Sequence, residues 1–307
     1  MSTNAPIALF IFNRPRHLRH TLAALTKCQG FADTPIFVFA DGPRRSDDVA
    51  KVEAARAAAK DLLGDRAAVY RHSDTNKGLA RSIIDGVSAI LREHQRVIVL
   101  EDDLDLAPGF LTYMNAALDR YAADDHVFQI SGHAFDAPEL ATRTTAAFLP
   151  FIGTWGWATW RRAWKEMDET ASGWEAIKTH PELRRRFNLG GVYDYATMLE
   201  RQMTGKRDSW GIRWYWSVFA HDGLVLYPPR TLVRNEGFDG SGSHGRGALR
   251  SYGACQTFHE GTIGLPAPAM DPAAFAAVQR AIARQNGGTA GRLVDTIKKL
   301  AGRLMAR

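Results

Sequence analysis

An α/β fold with a doubly wound, mostly parallel sheet and helices on both faces is what this sequence predicts, on two observations. Short apolar runs recur at Ile7 to Phe12, Ile36 to Ala40, Val97 to Leu100 and Val127 to Ser131. They are too continuous for strands with one wet face, and so read as strands buried on both. Helical periodicity fills the gaps, and right-handed strand–helix–strand crossovers then place the strands parallel.

The elements follow in order. Ile7 to Phe12 opens the sheet, and Pro15 to Thr26 is a helix. Ile36 to Ala40 ends at Asp41-Gly42-Pro43, a good turn sequence, before an Ala-rich helix around Asp47 to Leu63. Ala67 to Arg71 is a short third strand. Leu79, Ile83, Val87 and Leu91 share one face of a helix over Gly78 to Arg92. Val97 to Leu100 is the fourth strand. Pro108 to Tyr121 is predicted as a helix with proline at its first position, and Val127 to Ser131 is the fifth strand. Ligands of such sheets bind outside the carboxyl ends of the strands. The polar residues there are Asn13-Arg14, Asp41, His72 and Glu101-Asp102-Asp103.

Beyond Pro150 all eight tryptophans fall between Trp155 and Trp216. No linker precedes them, so residues 1–131 and 132–262 are expected to be two halves of one domain. Residues 263–307 are expected to be a Pro-rich linker and a basic, amphipathic helical tail, with helices at Pro272 to Arg284 and Gly291 to Met305.

The 307 residues are 45% hydrophobic and 23% charged, ordinary for a globular protein. The net charge of +6 suits an anionic ligand or an anionic membrane surface. No dense basic run precedes the C-terminus, so a nucleic-acid partner is not expected. Two cysteines, Cys28 and Cys255, imply no disulfide framework and a reducing, cytoplasmic setting. The N-terminus lacks the basic start of a signal peptide. No apolar stretch reaches the roughly 20 residues that span a bilayer. Membrane contact is therefore expected to be peripheral at most. Leu293, Ile297, Leu300 and Leu304 share a face flanked by basic residues. That helix can lie on an anionic membrane or pack on protein.

Glu101-Asp102-Asp103 directly follows a buried strand, where unpaired negative charge is costly. A divalent cation, Mn²⁺ or Mg²⁺, compensates it with hard oxygen ligands and leaves positions for phosphate. The other reading is an acidic loop capping the next helix.

The segment Val97 to Tyr113 resembles the metal-site segment of N-acetylglucosaminyltransferase I and its relatives, including bacterial polysaccharide and lipopolysaccharide glycosyltransferases. There a strand ends in Glu-Asp-Asp, followed by an apolar-acidic-apolar step, Ala-Pro and an aromatic-rich helix. Phe12-Asn13-Arg14, Ala40-Asp41-Gly42 and Gly78-Leu79-Ala80-Arg81 are similar to other donor-side segments of that family, in the same order. The resemblance spans residues 7 to 245 and implies a GT-A-like, Rossmann-like fold and a metal-dependent, inverting glycosyltransferase. The donor would be a UDP-sugar, and the acceptor a saccharide or lipid-linked saccharide. By the same resemblance residues 1–131 bind the nucleotide-sugar and 132–262 the acceptor, and Asp103 binds the metal. Glu101 and Asp102 contact the sugar and the ribose or a metal-bound water, Arg14 the donor, and Asp41 the uracil and ribose.

Each of these residues also has a plainer reading. Asn13 and Arg14 can be surface residues at a helix start, and Asp41 a turn residue. Lys77 and Arg81 flank a helix N-terminus, which favours anions, and can equally form a solvated face. Asp208, before Ser209-Trp210, is the candidate general base, and a helix N-cap is the alternative; Asp194 is the fallback. Trp155-Gly156-Trp157 resembles the family's Gly-Trp turn, with both indoles expected at a sugar, whereas Trp160 and Trp164 fit a core helix at i, i+4. Gly237 to His244 resembles the late loop that closes over the pyrophosphate, where His244 can bind metal or phosphate or simply be a surface residue.

A sugar nucleotidyltransferase also pairs a doubly wound sheet with an acidic metal site, but it needs a Gly-rich triphosphate loop that Ile11-Phe12-Asn13-Arg14-Pro15 lacks. A non-catalytic sugar-binding protein would keep the fold without turnover.

Overall fold

The computed structural model describes residues 4–239 and 256–285. His244 and the last predicted helix lie outside them.

Eight strands form one sheet in the order β3-β2-β1-β4-β8-β6-β9-β7. They are β1 (Ile7–Ile11), β2 (Ile36–Ala40), β3 (Ala67–His72), β4 (Arg96–Glu101), β6 (Val127–Ser131), β7 (Ala147–Leu149), β8 (Trp157–Trp160) and β9 (Leu224–Tyr227). A separate antiparallel pair joins β5 (Leu104–Leu106) to β10 (Val233–Asn235). The helices in the first half are α1 (Pro15–Leu25), α2 (Ser46–Leu63), α3 (Leu79–Glu93) and α4 (Phe110–Arg120). Those in the second are α5 (Arg161–Trp164), α6 (Ala176–Thr179), α7 (Pro181–Phe187), α8 (Tyr195–Met203), α9 (Trp210–Ala220) and α10 (Pro272–Gln285).

The predicted first half matches closely, because its signal is strand burial. Ile7, Leu9 and Ile11 enter one core with α1, α2 and α4; Ala8 and Phe10 enter a second core with α3, α9 and α10. The period of two along one strand feeds both layers. α4 begins at Phe110 with Gly109 as its cap, so Pro108 lies outside the helix rather than at its first position.

The second half departs from an all-parallel sheet. β8 inserts antiparallel between β4 and β6, and β7 adds antiparallel to β9. Trp157-Ala158-Thr159-Trp160 is wholly buried, as a central strand requires. Trp160 therefore sits on a strand and Trp164 on α5, in opposite cores, instead of sharing a helix face.

The helix expected at Pro272 to Arg284 is present as α10, and the Pro-rich stretch before it is not a free linker but is tied to the fold. The chain bridges Thr145 to Gly264 and Phe148 to Met270. α10 then buries Ala274, Ala277, Val278, Ala281 and Ile282 in the α9 core. Its apolar stripe at helical spacing needs a partner, and the Pro-rich stretch is the extended path to it. No helix among the described residues is long and apolar enough to cross a membrane.

Candidate functional site at the carboxyl ends of β1 and β4

The chain runs outward from β1 through β2 to β3 and then returns to β4 on the other side of β1. In an open α/β sheet the ligand site is expected at such a switch in strand order, in the crevice outside the carboxyl ends of the strands. Phe10 pairs in register with Glu101, so the tips of β1 and β4 end side by side.

Backbone hydrogen bonding fixes the acidic triplet there. Phe12 N–H donates to Asp102 Oδ2 at 3.0 Å. The Thr21 hydroxyl, from α1, donates to the Asp102 carbonyl and accepts from Leu104 N–H, both at 3.0 Å. The β5–β10 pair brings in the late loop: Glu236 N–H donates to the Asp103 carbonyl at 2.8 Å. Gly237 packs so tightly that a Cβ there would lie 2.1 Å from Asp103 Oδ2. Only glycine permits that approach.

Arg14 stands between the two aspartates, its Nη2 3.1 Å from Asp102 Oδ1 and its Nη1 2.9 Å from Asp103 Oδ2. Asp102 and Asp103 are buried and Glu101 is half-buried. Burial, then the neighbouring Asp103 and Asp102 carboxylates, push Glu101 above the usual carboxylate range. Burial also pushes Asp102 up, against the opposing pull of Arg14. Three carboxylates thus face one guanidinium, and a hard divalent cation suits the remaining negative charge.

The triplet's donor atoms do not converge by themselves. Among the described residues, the His, Cys, Asp or Glu trio whose donor atoms all lie within 4.8 Å of one another is His20, Asp105 and Glu236, just outside the crevice. Asp105 there also pairs with Arg234. Among the described residues, a cation in the crevice would take Asp103 as its protein ligand, completed by water and phosphate as is usual for Mg²⁺.

Asp41 differs from its predicted role. Its Oδ1 accepts from Gly42 and Lys77 N–H at 2.8 Å each, and its Oδ2 from Asn76 Nδ2 at 2.8 Å and Gly78 N–H at 3.0 Å. Both oxygens are spent on folding the 76–78 loop against the start of α3. Asn13 Nδ2 donates to Asp48 Oδ1 at 2.7 Å. Lys77 is exposed at the α3 N-terminus.

Arg81 is engaged in a separate ion-pair cluster. It pairs with Asp85 and, at 3.2 Å, with Glu169. Arg213 of α9 lies 3.8 Å from Glu169 and 3.2 Å from Asp208. The N-cap of α9 is Ser209, so Asp208 does not cap that helix. Its side chain is 65% exposed, and its Oδ2 would stand 3.7 Å from a Cβ on Gly78. Asp208 thus sits beside the α3 N-terminus on the same rim. Asp194 instead caps α8, accepting from Thr197 N–H. Glu169 and Arg213 were not singled out in the sequence, because nothing local marks an ion pair made across the fold.

The two indoles of the Trp155-Gly156-Trp157 turn separate. Trp157 is 1% exposed and stacks on Trp210 at 5.0 Å, so it is core and not a sugar contact. Gly156, at φ 53°, turns the chain against Val233 and Phe110, where a Cβ would meet Val233 Cγ2 at 2.7 Å. Trp155 is half-buried, edge-on to His133 at 4.6 Å and to Phe238 at 5.5 Å. It therefore lies beside the loop that covers Asp103. Burial pushes His133 down to about 4, leaving it neutral at pH 7. Trp157→Ala is expected to destabilise the protein by about 3–5 kcal/mol and Trp155→Ala by about 1–2 kcal/mol in urea unfolding. Equal losses would contradict this division between core and rim.

No family model matches the chain. Among solved structures it is similar to GalNAc-T7 with UDP, GalNAc and Mn²⁺ (TM-score 0.44, 11% identity, 75% of this chain and 43% of that one). It is also similar to a cytidylyltransferase from Leptospira borgpetersenii serovar Hardjo-bovis strain JB197 (TM-score 0.34, 13% identity, 54% and 64%). A third is CMP:2-keto-3-deoxy-manno-octonic acid synthetase with CTP (TM-score 0.35, 15% identity, 60% and 85%). The chain spans less than two thirds of the length of the first two of these neighbours. At such scores the likeness carries no inference about chemistry.

Proposed function

We propose that the protein is a metal-dependent glycosyltransferase that moves a sugar from a UDP-sugar to a hydroxyl of a saccharide or lipid-linked saccharide, with inversion. The observation that carries this reading is the buried Arg14–Asp102–Asp103 cluster at the switch point of the sheet. The resemblance of Val97 to Tyr113 to the N-acetylglucosaminyltransferase I segment supports it.

In this reading Asp103 holds Mn²⁺ or Mg²⁺, with Asp102 and Glu101 behind it. The cation, when bound, offsets the charge on the departing diphosphate. Arg14 and Lys77 supply fixed positive charge toward the same phosphates. The 76–78 loop, folded by Asp41, forms the nucleotide side of the crevice, and Trp155 offers its ring to a sugar face. Asp208 accepts the proton of the acceptor hydroxyl as that oxygen attacks the anomeric carbon opposite the nucleotide.

A thermal-shift panel of nucleotide-sugars with and without Mn²⁺ tests the reading. UDP species are expected to stabilise the protein only when metal is present, by about 2.7 kcal/mol at 100 times Kd. A larger shift with a GDP- or CMP-sugar overturns the donor assignment. Pyrophosphate release from CTP and a sugar acid or sugar phosphate would make the protein a nucleotidyltransferase instead.

A further inference from the structure

Every oxygen of the Asp102 and Asp103 carboxylates has a partner within the chain. Asp102 Oδ2 takes the Phe12 N–H, and Asp103 Oδ1 faces Asn235 Nδ2 at 3.5 Å. The remaining oxygen of each is held by the fork of Arg14, at 3.1 and 2.9 Å. Gly237 closes the other side, where a Cβ would lie 2.8 Å from Arg14 Nη1. The space that faces both aspartates is thus occupied by a cation of the chain itself. Two positive groups cannot share one carboxylate oxygen at this range without strong repulsion. A metal ion on Asp103 Oδ2 must displace the guanidinium, and one on Oδ1, where the neutral Asn235 amide stands at 3.5 Å, would sit close enough to repel it. Arg14 is 20% exposed and stands at the mouth of the crevice, directly before α1. A guanidinium released there finds its best alternative partner in a phosphate, which it grips through two parallel N–H bonds.

We propose that Arg14 is an internal counter-ion that keeps the metal site closed until a nucleoside diphosphate draws it off, so that cation and diphosphate bind cooperatively. This rests on Asp103 being the metal ligand. Arg14 then does two things in sequence: it balances the aspartates by itself, and it balances the phosphates once a cation takes its place. The coupling is reciprocal, the diphosphate tightening the cation by the factor that the cation tightens the diphosphate.

The experiment is titration of the full chain with Mn²⁺, followed by calorimetry and by the electron spin resonance of free Mn²⁺, with and without UDP. Wild type is expected to bind Mn²⁺ at least about tenfold more tightly when UDP is present. Arg14→Gln is expected to bind Mn²⁺ alone at least about tenfold more tightly than wild type, with UDP then adding less than about threefold. Arg14→Lys, which keeps one charge but not the fork, should fall between them and serves if Arg14→Gln does not fold. Adding Asp103→Asn to Arg14→Gln should remove the gain. Wild-type Mn²⁺ affinity and wild-type coupling in both Arg14 variants would overturn the counter-ion role and leave the metal reading standing. A gain that survives Asp103→Asn would place the ion elsewhere, with the His20–Asp105–Glu236 trio the first place to look, and would also overturn it. No Mn²⁺ binding in any variant, with or without UDP, would remove the metal reading itself.

Discussion

Asp103→Ala is expected to abolish the metal-dependent stabilisation by UDP and to reduce sugar transfer by about 10²–10³-fold, while the chain still folds. The loss is large because Asp103 is the residue to which the proposed cation is tied, and removing charge stabilisation at a leaving group typically costs about 3–4 kcal/mol. The fold should survive because the carboxylate is not what holds the strand. Its backbone carbonyl, not its side chain, takes the Glu236 N–H, and β5 continues directly after it. Removing one of three crowded carboxylates also removes a charge that adds to burial in pushing Glu101 up. The relief is offset by loss of the Arg14 pair, but Arg14 keeps Asp102 at 3.1 Å, so the metal-free variant should melt close to metal-free wild type. Asp103→Asn separates charge from shape, and it should lose UDP stabilisation as fully as alanine does. A variant that keeps its Mn²⁺-dependent UDP shift would move the metal away from this crevice.

Asp208→Asn is expected to lower kcat by about 10²–10⁴-fold and to leave the UDP-induced shift in melting temperature unchanged. The side chain is mostly exposed, and its Arg213 partner keeps a second carboxylate, Glu169, at 3.8 Å. Substitution should accordingly have little effect on stability. Single-turnover rates and the donor KM tell the two roles apart: a base lost from the acceptor side changes kcat, whereas a donor contact changes KM. Glu169→Gln is the control, since it sits in the same cluster. If Glu169→Gln stops turnover and Asp208→Asn does not, the base is Glu169. If neither does, inversion with Asp208 or Glu169 as the base is excluded.

Much of the first half was legible because strands buried on both faces leave an unbroken apolar run, whatever they pair with. The residues at their carboxyl ends could then be named as a group. Arg14, Asp102 and Asp103 do meet, and Asp208 lies on the same rim beside Gly78. The resemblance of the Gly-Trp turn does not separate its two indoles, because an indole there reads the same whether it meets a ligand or, like Trp157, stacks on Trp210. Asp41 misled for a related reason: a carboxylate at a strand tip accepts from any nearby N–H, and the nearest belong to Lys77 and Gly78.

Hydrophobic periodicity by itself determined the order of the strands that open the sheet and of the helices between them, and the rim on which polar residues collect. The tertiary structure decided the rest: that β8 enters antiparallel, that β10 carries Gly237 onto Asp103, and that Arg14 bridges two aspartates. Periodicity reports how deeply a residue is buried, which is a local property of the chain. Pairing depends on strand register between distant segments, such as the 90 residues that separate Phe12 from Asp102, and no local pattern encodes which distant charge or backbone group will stand opposite.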